Sequence, residues 1–472
     1  MKLFYERKVR MRTEQFLIKM QKALHVLKTQ GLSVLISKLR TTANIKTSRT
    51  PGQLNKKPAQ LTSENKVIFI GRILSKEKLK SKMTSAMAGS VVKIAFSHDN
   101  YLEIVGGVQL KIADEQLEVN RSGKGYLHIF PYGVSLALME FTDDSVIGLN
   151  LNGEWVGYTH PQILNEYLSE NSAEFKVEGI SIHHVMGFDL RFFDKVIEAT
   201  QYPKVVFWLH DFFSLCPGYL LLRNNLEFCG APKVTSNACF LCLHGERRIG
   251  HLKEIERFFS KNTIEVISPS EFALDLWRKA FPVKDVKATV CPHAILEYQE
   301  PIPKISMNKV IKIAFVGFPV YHKGWETWLR LTERFGSNHR FEFFLFSETR
   351  RPSRIFKNIS VSVTKESRNQ MAEQLRNYNI DVAFLWSRCP ETFSFTLYES
   401  LSAGCTILTN QNSGNIQAYV REHPESGLVL ESEDALIALF EGGSLSEYLV
   451  EAQRDGRRSA KLIVNKTCQE LF

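Results

Sequence analysis

The chain carries two consecutive series in which short apolar runs alternate with helical or looped stretches. The runs are rich in Val, Ile and Phe and are bounded by Gly, Pro, Asp or Ser. This pattern is typical of strands in a parallel sheet that helices cover on both faces. The predicted strands of the first series are 91–97, 126–130, 146–149, 180–184, 205–209, 263–268 and 288–291.

A second series begins after the linker Pro301-Ile302-Pro303. It contains predicted strands over 311–316, 381–386 and 405–409, a helix that begins at Trp325 and a second helix over 395–403. Gly404 suits the left-handed position that ends a helix. Two doubly wound sheets therefore follow one another, and the loops at the carboxyl ends of their strands should face a cleft.

These patterns divide the chain into four predicted parts. We predict a basic extension over 1–88, a first Rossmann-like domain over 89–303, a second over 304–440 and a C-terminal helical segment over 441–472. The fold class is therefore α/β, with two Rossmann-like domains that face a cleft.

The extension differs in charge from the rest of the chain. Residues 1–85 hold 20 Lys and Arg against 4 Asp and Glu, whereas the remaining residues hold 40 against 46. Apolar residues recur at helical spacing over 12–40, and the polar positions there are mostly basic. Such a helix either lies on an anionic membrane surface or packs on a protein surface. Residues 41–65 have the composition of a linker. Aromatic residues are sparse among the cations, so no nucleic-acid partner is expected.

The sequence lacks the signals that direct a chain into or across a membrane. No run approaches the roughly 20 apolar residues that span a bilayer. The basic N-terminus also lacks a compact apolar stretch followed by small residues. We therefore predict a cytoplasmic protein that can associate peripherally with the inner face of the membrane.

The strongest chemical signal is a pair of glutamates, Glu391 and Glu399, which lie eight positions apart. Glu391 falls in the loop after a predicted strand, and Glu399 falls inside the helix that follows. The loop carboxylate can accept hydrogen bonds from sugar hydroxyls, while the helical carboxylate binds a ribose diol. Amides at the helix start favour a pyrophosphate between them. Phe393 and Ser394, at that start, are donor-binding candidates.

This stretch resembles the E-x(7)-E motif of the large retaining glycosyltransferase family that includes glycogen synthases, sucrose synthases and bacterial mannosyltransferases. The family has the GT-B architecture. By resemblance, Glu391 meets the donor sugar and Glu399 meets the ribose of a nucleotide-diphosphate sugar. The likeness covers roughly residues 90–430.

The start of the second series agrees with this resemblance. Gly317 follows a predicted strand, and Lys323-Gly324 precedes a predicted helix. Lys323 would stabilise the departing diphosphate. The family usually has an arginine directly after this glycine, and this chain has Phe318 there.

In the first series, Gly106 and Gly107 follow the first strand, where the family carries a glycine loop that lets the backbone approach a phosphate. His210 and Asp211 end a strand in a position where family members often place a histidine near the reacting carbon. We therefore assign His210, Glu391 and Lys323 as catalytic candidates. Asp211 and His184 are acceptor-side candidates, with Asp211 orienting either His210 or the acceptor.

Four cysteines cluster in a segment that contains several Gly and Pro residues. They are Cys216, Cys229, Cys239 and Cys242. In a reducing compartment this set either binds a structural zinc ion or consists of buried free thiols. Catalysis is expected to need no cofactor.

The resemblance implies a retaining transfer of a hexose-type sugar to a glycan, a lipid-linked glycan or another acceptor in polysaccharide or glycoconjugate assembly. The alternatives are a nucleotide-sugar epimerase of the same fold and a binding subunit that keeps the GT-B fold without activity. Phe318 favours the inactive subunit, whereas the joint presence of Glu391, Glu399, Lys323 and His210 argues against it. The base, the sugar and the acceptor depend on loop side chains that the sequence does not place.

Overall fold

The computed structural model describes residues 73–87, 90–133, 135–301, 310–365, 367–452 and 458–465. The predicted basic helix over 12–40 and the linker over 41–65 lie outside these residues. Ile302 and Pro303 of the predicted interdomain linker also lie outside them.

The first domain is built on an eight-stranded sheet. In chain order its strands are β1 (Val91–Phe96), β2 (Gly125–Pro131), β3 (Ile147–Leu151), β4 (Glu154–Thr159), β5 (Lys176–Ile182), β6 (Lys204–Trp208), β9 (Ile264–Ser268) and β10 (Ala288–Val290). A separate two-stranded hairpin between β6 and β9 consists of β7 (Leu222–Arg223) and β8 (Glu227–Phe228). The strand order in the sheet is β10-β9-β6-β5-β1-β2-β3-β4. The chain thus winds outward on both sides of β1, as in doubly wound folds.

One edge of this sheet corrects the prediction of an entirely parallel arrangement. β3 pairs antiparallel with both β2 and β4, while the other pairs are parallel. Asn152 and Gly153 join β3 to β4 with φ values of 53° and 86°. An Asn-Gly pair with positive φ forms a tight hairpin, and such a turn connects only antiparallel strands.

Helices cover both faces of the first sheet. They are α1 (Lys76–Met87), α2 (Gly107–Arg121), α3 (Pro161–Glu170), α4 (Leu190–Ala199), α5 (Asn237–Phe240), α6 (Gly245–Lys261) and α7 (Glu271–Ala280). α1 packs on α3 and buries Leu79, Met83 and Met87 completely. The described end of the predicted extension is therefore part of the packing of the first domain.

The second domain contains a six-stranded sheet that is parallel throughout. Its strands are β12 (Ile311–Val316), β13 (Phe341–Ser347), β14 (Phe356–Ser360), β15 (Val382–Phe384), β16 (Thr406–Asn410) and β17 (Gly427–Leu430). The order β14-β13-β12-β15-β16-β17 is that of a dinucleotide-binding Rossmann sheet. Its helices are α8 (Trp325–Phe335), α9 (Gln370–Asn377), α10 (Phe395–Ser402), α11 (Asn415–Glu422) and α12 (Glu433–Glu441).

The C-terminal segment differs from the helical prediction. It contains α13 (Ser444–Ala452) and then a strand, β18 (Arg458–Val464). β18 pairs antiparallel with β11 (Ala294–Pro301), the strand that leaves the first domain. The run Leu462-Ile463-Val464 favours a strand. Its partner strand lies far away in sequence, however, so local periodicity could not reveal the pairing.

No helix within the described ranges is long and apolar enough to cross a bilayer.

The core of the second domain is rich in aromatic rings. Trp328 of α8 has no exposed surface and packs against Phe343 and Phe384, at ring-centroid distances of 5.6 and 5.4 Å. It therefore fixes α8 to the strands that carry the second half of the cleft.

Replacing this ring should measure that contribution. We expect Trp328→Ala to lower the free energy of unfolding by about 3–5 kcal/mol, because it removes a fully buried aromatic ring and leaves a cavity. The matched control is Trp155→Ala on strand β4, where the side chain is 46% exposed. Thermal unfolding followed by calorimetry compares the two; equal losses in both variants would contradict this account of the core.

Candidate active site

A cavity of about 480 Å³ lies between the carboxyl ends of the two sheets. The first domain contributes Gly106, Gly107 and Lys111 to its wall, and the second contributes Gly317 and Glu399. Three of the predicted glycines and one of the two predicted glutamates therefore meet at one cavity. This volume falls in the range of small-molecule and cofactor sites.

The glycines permit a close approach of backbone from both sides. Gly107 begins helix α2, and a Cβ atom there would lie 2.9 Å from the ring of Phe395 in the second domain. Gly317 follows β12 with φ of 108°, a conformation that favours glycine. The amides at the start of α2 carry the partial positive charge of a helix N-terminus.

Glu399 lies within helix α10 and is 6% exposed. Ser394 caps this helix by accepting a hydrogen bond from the Leu397 amide. Burial raises the pKa of Glu399 to about 7. The carboxyl group is therefore largely protonated below that pH and becomes an acceptor for a pair of hydroxyls when a ligand favours its ionised form.

The other predicted charges, Lys323 and Glu391, bind each other. Lys323 Nζ lies 2.6 Å from Glu391 Oε1, and Ser387 donates a hydrogen bond to the same oxygen at 2.8 Å. Burial lowers the pKa of Lys323, but the negative charge of Glu391 outweighs it and the net pKa is raised. Neither side chain lines the cavity described above.

Two glycines hold this ion pair in place. Gly324 has φ of 84°, and a Cβ atom there would lie 2.2 Å from the Trp386 carbonyl oxygen. Gly414 has φ of 66°, and a Cβ atom there would lie 2.4 Å from the Glu391 amide nitrogen. Any other residue at these positions would push apart the loops that carry Lys323 and Glu391.

Phe393 and Ser394 also lie outside the cavity wall. Phe393 stacks on Tyr398 with ring centroids 4.5 Å apart, and Ser394 is buried as the helix cap. Direct donor contacts of these two residues stay predictions.

His210 follows β6, and its ring is tied to a buried chain of polar groups. His210 Nε2 lies 3.0 Å from His183 Nδ1, and His183 Nε2 lies 3.4 Å from Glu115 Oε2. A carboxylate favours a proton on the nitrogen that faces it, so His183 carries its proton on Nε2 and accepts from His210 Nε2–H. His210 then keeps the Nδ1 lone pair for another partner. Burial holds the pKa of His210 well below its usual value, which keeps the ring neutral.

Asp211 and His184 form a second polar pair. His184 Nε2 lies 2.8 Å from Asp211 Oδ2, and the Met186 amide donates to His184 Nδ1. The pKa of Asp211 is lowered because His184 and the Phe213 amide favour the carboxylate more strongly than burial disfavours it. Asp211 thus orients His184, and among the described residues its carboxylate makes no hydrogen bond with the His210 ring.

Hydrogen bonds between the domains bring these groups to one edge. Ser270 of the first domain donates to the Thr392 carbonyl at 2.7 Å. The Thr392 hydroxyl in turn donates to the His210 carbonyl. The residue after Glu391 is therefore in contact with the strand end that carries His210.

Sequence reasoning missed two cavity residues, Lys111 and His293. His293 is 5% exposed, and its Nδ1 atom has no hydrogen-bond partner among the described residues. It lies in the short link between β10 and β11, three residues after Val290, and this position after a predicted strand is a signal that the sequence offers. Lys111 lies one helical turn after Gly107, so the two residues share a face of α2. Once Gly107 is placed at the site, this spacing predicts that Lys111 faces the site as well.

The four clustered cysteines line one small cavity together with His244 and Arg248. Burial raises the pKa of Cys216 to about 11, and Arg248 Nη1 lies 2.8 Å from Cys239 Sγ. Within the part of the chain that the structure describes, no three His, Cys, Asp or Glu side chains are arranged to hold a metal ion. Zinc binding by these cysteines stays a prediction.

No family model and no curated protein sequence matches the chain. Among solved structures, sucrose-phosphate synthase from Thermosynechococcus elongatus is 12% identical, covering 81% of this chain and 96% of its own, with a TM-score of 0.48. The pneumococcal O-GlcNAc transferase GtfA, solved with UDP and GlcNAc, is 9% identical, covering 81% and 98%, with a TM-score of 0.47. WaaG, a glycosyltransferase involved in lipopolysaccharide biosynthesis, is 13% identical, covering 77% and 95%, with a TM-score of 0.44.

The strand orders and the shared cleft define the class of fold. Two Rossmann-like domains whose strand ends face one cavity form the GT-B arrangement. The fold class predicted from the sequence is therefore confirmed.

The buried carboxyl group of Glu399 should make stability depend on pH. Its pKa in the folded state, about 7, exceeds the ordinary value of 4.5, so the free energy of unfolding falls as pH rises from about 4.5 to 7. Glu399→Gln cannot ionise and should raise the melting temperature more at pH 8 than at pH 5. The control Glu256→Gln alters an exposed residue of α6 and should change the melting temperature by the same amount at both pH values. A Glu399→Gln effect that does not vary with pH would contradict the assignment.

Proposed function

We propose that the protein is a glycosyltransferase that takes a sugar from a nucleotide-diphosphate donor bound in the interdomain cavity. The observation that carries the proposal is the position of Glu399. Its buried carboxyl group lines the same cavity as the glycines at the start of α2. One acceptor of diol hydroxyls and one set of backbone amides are thus available to a single ligand.

In this proposal the donor is held from both domains. Glu399 binds the ribose diol, because two hydroxyls can donate to the two oxygens of an ionised carboxylate. The diphosphate lies against the amides at the starts of α2 and α10, which favour negative charge. Binding thereby favours the ionised form of Glu399 and releases a proton whenever the pH lies below about 7.

Lys323 and Glu391 act where the sugar joins the phosphate. Glu391 accepts hydrogen bonds from sugar hydroxyls, and Lys323 neutralises charge on the departing diphosphate. Each side chain now satisfies the other across 2.6 Å. In this proposal the arriving donor exchanges this contact for contacts of its own, so Lys323 is available to the diphosphate only after the donor has displaced it from Glu391.

We propose transfer with retention of configuration, as the family resemblance implies. The bond between the anomeric carbon and the phosphate oxygen breaks, and a bond to the acceptor oxygen forms on the same face. The acceptor's proton passes to the leaving phosphate oxygen, so no enzymic nucleophile is required. His210 Nδ1 accepts from a hydroxyl near the anomeric carbon, and the pair Asp211–His184 faces the acceptor.

A hexose-type donor and an acceptor in polysaccharide or glycoconjugate assembly complete the proposal. Association with an anionic membrane surface through residues 12–40, which lie outside the described residues, is also part of the proposal. The second candidate is a binding subunit without activity, which the apolar Phe318 at the cavity wall favours.

Ligand binding tests the proposal directly. In thermal-shift assays with a panel of nucleotide sugars, a donor at about 100 times its Kd should stabilise the protein by about 2.7 kcal/mol. Glu399→Ala should abolish the shift, because it removes the ribose contact. In the wild type, donor affinity should rise with pH up to about 7 and then level off, following ionisation of Glu399. Binding without turnover would favour the inactive subunit, and no response to any nucleotide sugar would refute the proposal.

The stereochemistry of the reaction gives a separate test. When no acceptor is present, water should slowly take the acceptor's place and hydrolyse the donor. The first sugar released should keep the anomeric configuration of the donor. Proton NMR before mutarotation distinguishes the two anomers. Release of the inverted anomer would contradict the same-face mechanism while leaving donor binding intact.

A further inference from the structure

A diphosphate bound in the cavity needs a positive charge beside it, and the residues expected from the family resemblance do not place one in the cavity wall. The family that the sequence resembles usually has an arginine after the glycine that corresponds to Gly317, whereas Phe318 here lines the cavity and is 56% exposed. Lys323, the other expected cation, is paired with Glu391 outside the cavity wall. A buried anion without a partner charge is costly.

Lys111 of helix α2 provides a cation in this cavity. It lines the wall and is only 2% exposed. Within the described residues, no carboxylate lies at ion-pair distance from its ammonium group, which sits 4.7 Å from the centroid of the Trp208 ring. By contrast, Arg368 on the same wall is paired with Asp114 at 2.5 Å.

A buried ammonium group in this position calls for an anion. A cation–π contact offsets only part of the cost of removing a charge from water. Burial lowers the pKa of Lys111, against the opposing effect of Glu115 and Asp114. A phosphate beside the ammonium would raise that pKa again.

His293 adds an independent observation. Its unpartnered Nδ1 atom belongs to a side chain that is 5% exposed and lines the same cavity. The Trp208 ring contacts both groups, because its centroid lies 4.7 Å from the Lys111 ammonium and 5.5 Å from the centroid of the His293 ring. An oxygen-rich group between them would satisfy both.

We propose that Lys111, with His293, binds the diphosphate of the donor and supplies the charge that Phe318 does not. This inference rests on the proposed function and names the residues that bind the leaving group. The cation then comes from the first domain and the ribose-binding carboxylate from the second. One donor molecule therefore bridges the two domains through opposite ends.

The test compares nucleoside diphosphates with their nucleosides. Calorimetric Kd values are measured for the pairs UDP and uridine, ADP and adenosine, and GDP and guanosine on the full chain. Lys111→Met keeps the apolar stem beside Trp208 and removes the charge. For the base that binds, this variant should lose roughly 10- to 100-fold in affinity for the diphosphate and little for the nucleoside.

Two further variants separate charge from packing. Lys111→Arg keeps the charge and should retain most of the preference for the diphosphate. A double variant adds Phe318→Arg to Lys111→Met. It should recover affinity for the diphosphate, because the new arginine supplies a cation from the opposite wall. Lys124→Gln, which alters a lysine paired with Glu178 elsewhere in the first domain, should change neither Kd.

The outcomes distinguish this inference from the proposed function. If Lys111→Met leaves the ratio of the two Kd values unchanged while the wild type binds the diphosphate, the assignment of Lys111 is wrong and the proposed function stands. If Lys111→Met and Lys111→Arg both weaken nucleoside and diphosphate equally, Lys111 acts through packing and the inference fails. If no nucleotide binds the wild type, the proposed function itself fails.

Discussion

The contact between the carboxyl ends of the two sheets is the constraint on which the site depends. Ser270 and the His210 carbonyl bind Thr392 from the first domain, so the loop that carries Glu391 is tied to the end of strand β6. The first domain contributes the start of α2 to the interdomain cavity, and the second contributes the carboxyl group of Glu399.

Buried charge is distributed unevenly across this cleft. In the first domain, Glu115 is surrounded by Lys93, Lys111 and His183, and these neighbours keep its pKa low despite its burial. In the second, burial alone acts on Glu399 and raises its pKa. One wall is thus suited to an anion, and the other to a pair of hydroxyl donors. A ligand with a phosphate at one end and a diol at the other satisfies both.

The sequence predicted the parts of the fold that local periodicity determines. Strand 311–316 was predicted with its observed bounds, and the helix over 395–403 differs from α10 by one residue. The pairing of β18 with β11 depends on residues distant in the chain, so no local pattern could give it. The motif placed Glu399 at the cavity but could not show that Lys323 and Glu391 would bind each other.

A crystal structure of the protein with a bound nucleoside diphosphate tests the central claim most directly. The account predicts density in the interdomain cavity, with the ribose hydroxyls on Glu399 and the phosphates between the start of α2 and the Lys111 ammonium. Density for the nucleotide on another surface, or a diphosphate that contacts neither Gly107 nor Lys111, would contradict it.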